Sequence, residues 1–358
     1  MKKISLLLVL LFAFNCNKND DNQTDNESFN VKVLVSDITN KQILHKVNTF
    51  VNESALFNIK VEAYLAATTE TNLSVVRDQW KQTALTYGAI YAYNIGAIRD
   101  QFMDRILYNW PTLPSAIENA INDNSEITQE LVAGLSPQIK TLSGLEYLLF
   151  GSDLEAANNL FIASEKRRNY LKFVALDFKT QAERLKGIWN TPGNFSLSLI
   201  DNEDTGIQSS FNIIYNGLYN LIETAKISKI GKPAGLENSS LINPDQTQAY
   251  FSALSLLILK ENINSVEKTY FNTEGLGIDD YVFFITKNMA LNTAIATKII
   301  DVKNAIDAIP VSLFNAIISH PNQVRTLHEE LEALSILFSV DVRSTLSIII
   351  TSTDIDGD

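Results

Sequence analysis

The sequence predicts an all-α fold, and three observations support this prediction. Apolar residues make up 46% and charged residues 20% of the 358 residues, which is enough apolar material for a sizeable buried core. Proline and glycine are scarce, at 8 and 14 residues, which favours long helices over a sandwich or barrel with many turns. Apolar residues recur at helical spacing along most of the chain, and only Ser347 to Thr351 is β-branched enough to suggest a short extended segment.

Residues 1–15 are predicted to be an export signal. Lys2 and Lys3 precede an apolar run that is too short to span a bilayer and that ends just before Cys16, the single cysteine. We interpret this pattern as a lipoprotein signal that is cleaved before Cys16, whose thiol then carries lipid and anchors the mature protein. An ordinary secretory signal followed by an incidental cysteine is the alternative.

Residues 16–28 are predicted to be a flexible tether after the lipidated Cys16. The segment is polar and acidic and has no large apolar side chain, so it buries too little surface to offset the entropy lost on ordering. The Asp20-Asp21 pair resembles the acidic stretch that directs some lipoproteins to the cell surface. We therefore expect an outer-membrane lipoprotein that faces the periplasm or the cell exterior.

Helical periodicity predicts the remaining elements in order. Apolar residues form one face in three clear stripes: Leu73, Val76, Trp80 and Tyr87; Leu171, Val174, Phe178, Leu185 and Trp189; and Val324, Leu327, Leu331, Leu334 and Phe338. Helices are predicted at 38–66, 72–108, 113–122, 126–150, 154–190, 204–229, 244–268, 278–308 and 311–340. Pro192, Gly193 and an acidic run interrupt the pattern at 190–206. We place the boundary there, between an N-terminal helical bundle at 29–195 and a C-terminal bundle at 196–358.

Charge and residue counts argue against several function classes. The net charge of −12 disfavours nucleic-acid binding, which needs clustered cations. The three histidines, His45, His320 and His328, make a His-rich metal site difficult, and no H-E-x-x-H motif occurs. His328 and Glu332 have a spacing that can support a metal, but a solvated acidic helix face beside the Val324 stripe is the favoured explanation. No pattern of Ser, Cys and His predicts a catalytic nucleophile.

The segment from Thr141 to Gly151 holds the most informative residue. Leu142, Leu145 and Leu149 define a buried helix face, and Glu146 lies on or beside this face. A buried carboxylate needs a partner, because removing an unpaired charge from water is costly. Arg77 is the expected partner, since it lies on the inward edge of its own helix. A structural Glu–Arg pair is the alternative to a binding role for Glu146.

The same segment resembles the signature of the imelysin family, which is written G-x-H-x-x-E followed by a Tyr- and Leu-rich run and Phe-Gly. Further segments resemble the family in the same order along the chain. They are Arg77-x-x-Trp80 with Tyr87, Asn109-Trp110-Pro111, the connector at 226–235, and the terminus formed by 341–346 and 354–358.

This resemblance implies an imelysin-like fold of two packed four-helix-bundle-like halves, with a site in the cleft between them. Glu146 falls at the family's glutamate position, Ser143 at its histidine position and Thr141 at its leading glycine. The missing histidine places the chain in a lipoprotein subgroup that lacks it. The predicted ligand- or metal-binding residues are Glu146, Ser143, Arg77 and Trp80, with Glu146 as the metal ligand, and no catalytic residue is assigned.

The resemblance also implies export and an association with iron or haem acquisition. The first hypothesis is therefore a lipid-anchored binding protein that captures iron, another divalent or trivalent metal, haem or a small ligand in the cleft. Its expected partners are the membrane and the components of iron or haem uptake. A metallopeptidase of the imelysin type and a non-catalytic surface interaction module are the alternatives.

Overall fold

The computed structural model of the protein describes residues 28–123 and 126–351, and within these ranges it is helical with no β-strand. The predicted all-α fold is therefore confirmed. The predicted signal at 1–15, Cys16, the tether up to residue 27 and the acidic terminus at 354–358 lie outside the described residues. No helix of the described part combines the length and hydrophobicity that crossing a bilayer requires.

The first half of the chain contains three long helices and several short ones. A π-helix, Ile38–Ile43, joins the first two helices into one continuous rod. The helices of this half are α1 (Val31–Asp37), α2 (Leu44–Ala66), α3 (Glu70–Ile90), α4 (Met103–Leu107), α5 (Pro114–Asp123), α6 (Gln129–Ala133), α7 (Pro137–Lys140), α8 (Leu142–Phe150), α9 (Leu154–Ala163) and α10 (Glu165–Trp189).

The second half repeats this mixture of long and short helices. Two further π-helices, Ala225–Gly231 and Leu337–Val342, extend helices of this half. The helices that follow α10 are α11 (Phe195–Asp201), α12 (Ser210–Thr224), α13 (Lys232–Ala234), α14 (Ser255–Tyr270), α15 (Ile278–Thr286), α16 (Ala290–Asp307), α17 (Leu313–Ser319), α18 (Pro321–Ile336) and α19 (Arg343–Leu346).

Several predicted helices are shorter than expected because the backbone turns inside them. The helix predicted at 72–108 ends at Ile90, and Gly96 and Phe102 adopt positive φ angles of 46° and 54° beyond it. The helix predicted at 244–268 begins only at Ser255, after Ala249 and Ala253, whose φ angles are 57° and 58°. These left-handed residues are incompatible with a continuous right-handed helix.

Capping residues and prolines divide three more of the predicted helices. The helix at 126–150 is split into α6, α7 and α8, with Pro137 at the start of α7. Ser164 separates α9 from α10 and accepts a hydrogen bond from the backbone N–H of Arg167. Pro321 starts α18, where its missing N–H costs no helical hydrogen bond. Periodicity alone did not reveal these breaks.

One continuous core runs through both halves. Every residue of the three predicted apolar stripes is buried. Across the seam between the halves, α14 packs on α3, where Asn262 donates to the Gly88 carbonyl (2.7 Å) and Ser265 donates to the Ala89 carbonyl (2.8 Å). The two packed helical halves match the predicted fold. The boundary after residue 195 falls at the start of α11 and stays a prediction.

We predict that Gly217→Ala destabilises the fold by about 1–3 kcal/mol, the usual cost of overpacking. Gly217 lies on α12, and a Cβ there would meet the Ala92 carbonyl and would lie 2.7 Å from the Cγ2 atom of Ile95. The matched control is Gly187→Ala in α10, where the nearest atom is 3.6 Å away and helix propensity favours alanine. Urea unfolding of both variants tests this prediction, and equal stabilities would contradict it.

Candidate functional site

Glu146 lies on α8 and is fully buried, with 1% of its surface exposed. The start of α8 packs tightly on the preceding turn, because a Cβ at Gly144 would collide with the Ile139 carbonyl. That carbonyl also accepts a hydrogen bond from the Tyr170 hydroxyl at 2.7 Å. The glycine and the tyrosine therefore fix the position of α8, and with it the position of the Glu146 carboxylate.

The partner of Glu146 is Ser252, on the segment that leads into α14. Glu146 Oε1 accepts hydrogen bonds from the Ser252 backbone N–H (2.8 Å) and from the Ser252 hydroxyl (2.7 Å). The left-handed residues Ala249 and Ala253 flank this contact, and such turns direct successive N–H groups toward an anion. Glu146 therefore joins the first half of the chain to a turn of the second half.

Burial changes the acidity of Glu146. Loss of hydration raises the pKa of its carboxyl from 4.5 to about 7, although the Ser252 hydroxyl and the N–H groups of Ser252 and Phe251 oppose this shift. Burial, with a smaller contribution from the Glu146 charge, also raises the pKa of Tyr108 well above its usual value. The seam therefore holds a carboxyl group that can gain or lose a proton near neutral pH.

Several buried polar atoms around this contact have no hydrogen-bond partner within the described residues. They are the Tyr108 hydroxyl, the Thr247 hydroxyl, and both side-chain polar atoms of Gln248. Buried polar groups are nearly always satisfied, by the protein or by ordered water. Ordered water is the simplest partner for these atoms around Glu146.

Arg77 does not pair with Glu146, so the expected ion pair is wrong. The Arg77 guanidinium donates to the carbonyls of Leu149 (2.6 Å), Ser152 (2.9 Å) and Asp153 (3.1 Å). These carbonyls lie at and beyond the C-terminal end of α8, where a cation is favourable because the last carbonyls of a helix lack intrahelical partners. Arg77 does lie on the inward edge of α3, but its target is the backbone.

Trp80 and Ser143 also hold α8 in place. The buried indole of Trp80 donates to the Leu142 carbonyl at 3.1 Å. The Ser143 hydroxyl donates to the Asn109 carbonyl at 2.5 Å and lies 3.0 Å from the Thr141 hydroxyl. Ser143 thereby connects α8 to the turn that contains Trp110. Of the predicted ligand residues, these two and Arg77 act as supports around Glu146.

A cleft lies between the halves on the Trp110 side of Glu146, and we call it the seam cleft. None of the predicted residues Glu146, Ser143, Arg77 and Trp80 lines this cleft. Tyr108, whose pKa the Glu146 charge affects, lies between Glu146 and the cleft wall: the Tyr108 and Trp110 ring centres are 5.9 Å apart, and those of Trp110 and Tyr91 are 6.3 Å apart. The cleft has a volume of about 310 Å³. Its polar and aromatic lining is Tyr91, Asn94, Arg99, Phe102, Asp104, Arg105, Trp110, Asn220, Thr224, Ser228 and Lys232.

Lys229 is buried directly behind the seam cleft. Its Nζ atom donates to Asn262 Oδ1 at 2.5 Å and lies 4.9 Å from the ring centre of Tyr91 and 5.5 Å from that of Trp110. Burial lowers the pKa of Lys229 to about 7. Lys229 belongs to a π-helix, a distortion that is frequent at functional sites.

A second cleft, of about 680 Å³, opens between α2, α3, α14 and α16. The lysines that line it are largely engaged: Lys41 lies 2.8 Å from the Asp37 carboxylate, and Lys46 donates to the Tyr93 hydroxyl at 2.9 Å. Neither cleft is lined by a residue of the 141–151 segment. The seam cleft, although smaller, is the better candidate site, because its wall includes Trp110, which follows Asn109, the residue whose carbonyl accepts the Ser143 hydrogen bond.

The described residues do not fit a protein-held metal centre. No group of three or more His, Cys, Asp or Glu side chains converges anywhere in residues 28–123 and 126–351. His328 bonds to Glu237 (2.7 Å), and His320 lies beside the Ser319 hydroxyl at a helix junction. Since Oε1 of Glu146 is bound to Ser252, this carboxylate alone is a poor metal ligand set.

The sequence did not reveal Ser252, Asp104 or Lys229 as site residues. Lys229 lies in the connector segment that resembles the imelysin family, which was the one available signal for it. Ser252 and Asp104 belong to no motif. Their roles depend on backbone turns and on the approach of the two halves, which local periodicity does not encode.

We predict that Glu146→Gln removes a pH-dependent loss of stability. A carboxyl whose pKa is raised on folding stabilises the folded state fully below the unfolded pKa near 4.5, and this contribution is lost as the pH rises through about 7. Relative to Glu146→Gln, the unmodified protein should lose about 3 kcal/mol of unfolding free energy between pH 4.5 and pH 8. Urea unfolding across this range measures the difference.

The matched control is Glu130→Gln, which removes an exposed carboxylate from α6. A pH-dependent difference of the same size in this control would show that the burial of Glu146 is not responsible. A flat difference between the unmodified protein and Glu146→Gln would contradict the prediction directly.

Comparison with known proteins agrees with this architecture. The imelysin family model matches residues 43–339, and no curated protein matches the chain. One similar crystal structure is described as a candidate iron-regulated protein A precursor from Parabacteroides distasonis ATCC 8503. It superposes on this chain with a TM-score of 0.74 and 19% sequence identity, and the match covers 88% of this chain and 94% of that chain. The crystal structure of an imelysin-like protein from Psychrobacter arcticum 273-4 superposes with a TM-score of 0.73 and 17% sequence identity, and the match covers 90% of this chain and 96% of that chain.

These identities are low, so the structural likeness shows a shared fold. The family model, in contrast, spans most of the chain and includes both halves and the whole of the seam cleft. The predicted resemblance is confirmed at the level of the family, whereas the subgroup without the motif histidine stays a prediction. The chain belongs to the imelysin family.

Proposed function

We propose that this chain is an exported, lipid-anchored binding protein that serves iron acquisition by holding a small ligand in the seam cleft. The observation that carries the proposal is the cleft itself, a concave site of about 310 Å³ lined by charged, amide and aromatic side chains from both halves. Small-molecule sites have volumes of about 300–1,000 Å³ and occur preferentially where domains meet.

Two further considerations support a role in iron acquisition. The family resemblance implies this association, and the neighbour from Parabacteroides distasonis carries an iron-regulated description. Because the described residues do not converge on a metal, we propose that iron arrives within a ligand, as haem or as a chelate. The protein then recognises the organic part of that ligand.

A metallopeptidase is the less favoured alternative. Such an enzyme needs three protein ligands to zinc together with a bound water. Neither the sequence motifs nor the described side chains supply this set. A surface interaction module without a ligand remains the other alternative, and ligand titration separates it from the proposal.

We predict that the protein binds an iron-bearing ligand at micromolar concentration with one-to-one stoichiometry. Haem and ferric chelates are titrated separately, and tryptophan fluorescence reports binding because Trp110 lines the seam cleft. Lys232→Ala should weaken binding at least fivefold, since it removes a cation from the cleft, whereas Lys172→Ala, on the exposed face of α10, should leave it unchanged. Absence of binding by every iron-bearing ligand would contradict the proposal and favour an interaction module.

We also predict that Cys16 is the membrane anchor. Cells supplied with a labelled fatty acid should incorporate the label into the unmodified protein and not into Cys16→Ser, and only the unmodified protein should sediment with the outer membrane. The control is Ser28→Ala at the end of the tether, which leaves the cysteine in place. Membrane sedimentation of Cys16→Ser without label would show that the anchor is not a lipid on this residue.

A further inference from the structure

Exposed apolar side chains gather at one end of the molecule, and we call this surface the apolar end. Single exposed apolar residues are normal on a protein surface, whereas a cluster of them marks a surface that contacts something else. The cluster draws on α1, α11, the 3₁₀ turn Gly206–Gln208, the junction of α15 with α16 and the segment after α19. Its side chains, each between 42% and 58% exposed, are Val33, Leu197, Ile207, Phe283, Ile285, Met289 and Ile349.

These segments are neighbours because they meet around the start of α12. The ring centre of Phe211, on α12, lies 5.5 Å from that of Tyr281, on α15. The side chain of Asn212 donates to the Ile349 carbonyl (2.9 Å) and accepts from the Ile349 N–H (2.8 Å). A Cβ at Gly206 would lie 3.6 Å from the Cδ1 atom of Ile349, and α1 packs on both α11 and α12. The exposed side chains therefore belong to one end of the fold.

Charged groups contribute little to this end. Lys32 and Asp201 form an exposed ion pair at 3.0 Å, which is worth little at a surface. Glu203 and Asp204, just after α11, are exposed and oppose attraction to anionic groups. Lys287 is exposed and lies 4.1 Å from the ring centre of Phe284, an arrangement of cation and aromatic that suits a membrane interface. Apolar contact therefore dominates what this surface can bind.

The chain enters the fold at the apolar end. The ring of Phe29 stacks on that of Tyr281, with centres 4.5 Å apart, and lies 5.5 Å from that of Phe284. Cys16, the predicted anchor, precedes Phe29 by 13 residues, which span at most about 45 Å. The rod Val31–Ala66 is about 50 Å long. A molecule standing on the far end of this rod would hold Phe29 beyond the reach of a lipid on Cys16.

The far end of the rod supplies a matched comparison. Leu160 and Ile162, on α9, are exposed to 46% and 55%, which is similar to the side chains of the apolar end. The residue between them, Phe161, packs on Tyr64 near the end of α2, with ring centres 5.5 Å apart. The two ends therefore differ in their distance from the start of the fold and not in the exposure of these residues.

Resting on the lipid anchor of the proposed function, we infer that the apolar end lies against the bilayer that holds Cys16. Phe283, Ile285 and Met289 enter the interfacial region, where burial of apolar side chains is favourable. A short connection to the anchor raises the effective concentration of this surface at the bilayer, so no strong affinity of its own is needed.

This orientation places the seam cleft near the membrane. Helix α12 starts at the apolar end with Ser210, and its Asn220 lines the seam cleft. Ten residues of α-helix separate the two, which is about 15 Å. A ligand in the seam cleft is thereby held close to the bilayer surface, where a membrane component delivers or receives it.

Fluorescence quenching by lipid tests the inference on the lipidated protein, reconstituted into zwitterionic phospholipid vesicles. Mass spectrometry verifies the lipid on Cys16, whose blocked thiol leaves a second cysteine free for labelling. A polarity-sensitive fluorophore is attached in Ile285→Cys and, as the control, in Ile162→Cys. Nitroxide-labelled lipid should quench the emission at position 285 at least about twofold, because the label lies in the interface, and should leave the emission at position 162 nearly unchanged.

Further variants assign the quenching to the apolar end. Phe283→Ser combined with Met289→Ser should reduce the quenching at position 285 by at least about half, since less apolar surface remains to enter the interface. Leu160→Ser at the far end should not change it. Circular dichroism verifies that each variant is folded, and the labelled single variants test the inference even if the double variant is unfolded.

Distinct outcomes overturn the inference and the proposed anchor. If Cys16 carries lipid and the label at position 285 reports water without quenching, the inference is wrong and the anchor stands. A shift to apolar emission without quenching, with dimers in analytical ultracentrifugation, shows that a second copy covers the surface, which also overturns the inference. Absence of lipid on Cys16 overturns the anchor and the inference together, whereas ligand titration still tests the seam cleft.

Discussion

A buried carboxylate links the two halves of this chain. Glu146, on α8, accepts two hydrogen bonds from Ser252, which lies in a turn that the second half contributes. A carboxyl group without this partner would be buried at a high cost in free energy. The contact therefore requires both that α8 be placed accurately and that the turn before α14 keep its left-handed residues. Many of the contacts around Glu146 hold α8 or this turn in position.

The position of α8 depends on Arg77, Trp80 and Ser143, three residues that the sequence predicted to bind a ligand or metal. Arg77 binds the carbonyls at one end of α8, Trp80 binds a carbonyl at the other end, and Ser143 connects the helix to the turn at 109–112. The same turn delivers Trp110 to the wall of the seam cleft. The family signature is therefore a structural unit, which holds the carboxylate and shapes the cleft beside it.

Cationic and aromatic side chains dominate the cleft next to this unit. Lys229 supports the rings of Tyr91 and Trp110 from behind, and Asn262, which accepts the Lys229 hydrogen bond, also donates to α3 across the seam. Lys229 and Asn262 therefore connect the wall of the cleft with the packing of the two halves. A ligand that moved Lys229 would also act on the contact between α3 and α14.

The sequence by itself determined the all-α class, the buried faces of the long helices, the burial of Glu146 and the family, because these follow from local periodicity and from the order of motifs. It did not determine the helix breaks near Ile90 and Ser255, because three of the four left-handed residues there, Phe102, Ala249 and Ala253, are not glycine. It also assigned Glu146 the wrong partner. Periodicity shows which face of a helix is buried, but only the tertiary structure decided that Ser252 meets Glu146 and that Arg77 meets the backbone, because those contacts join residues far apart in the chain.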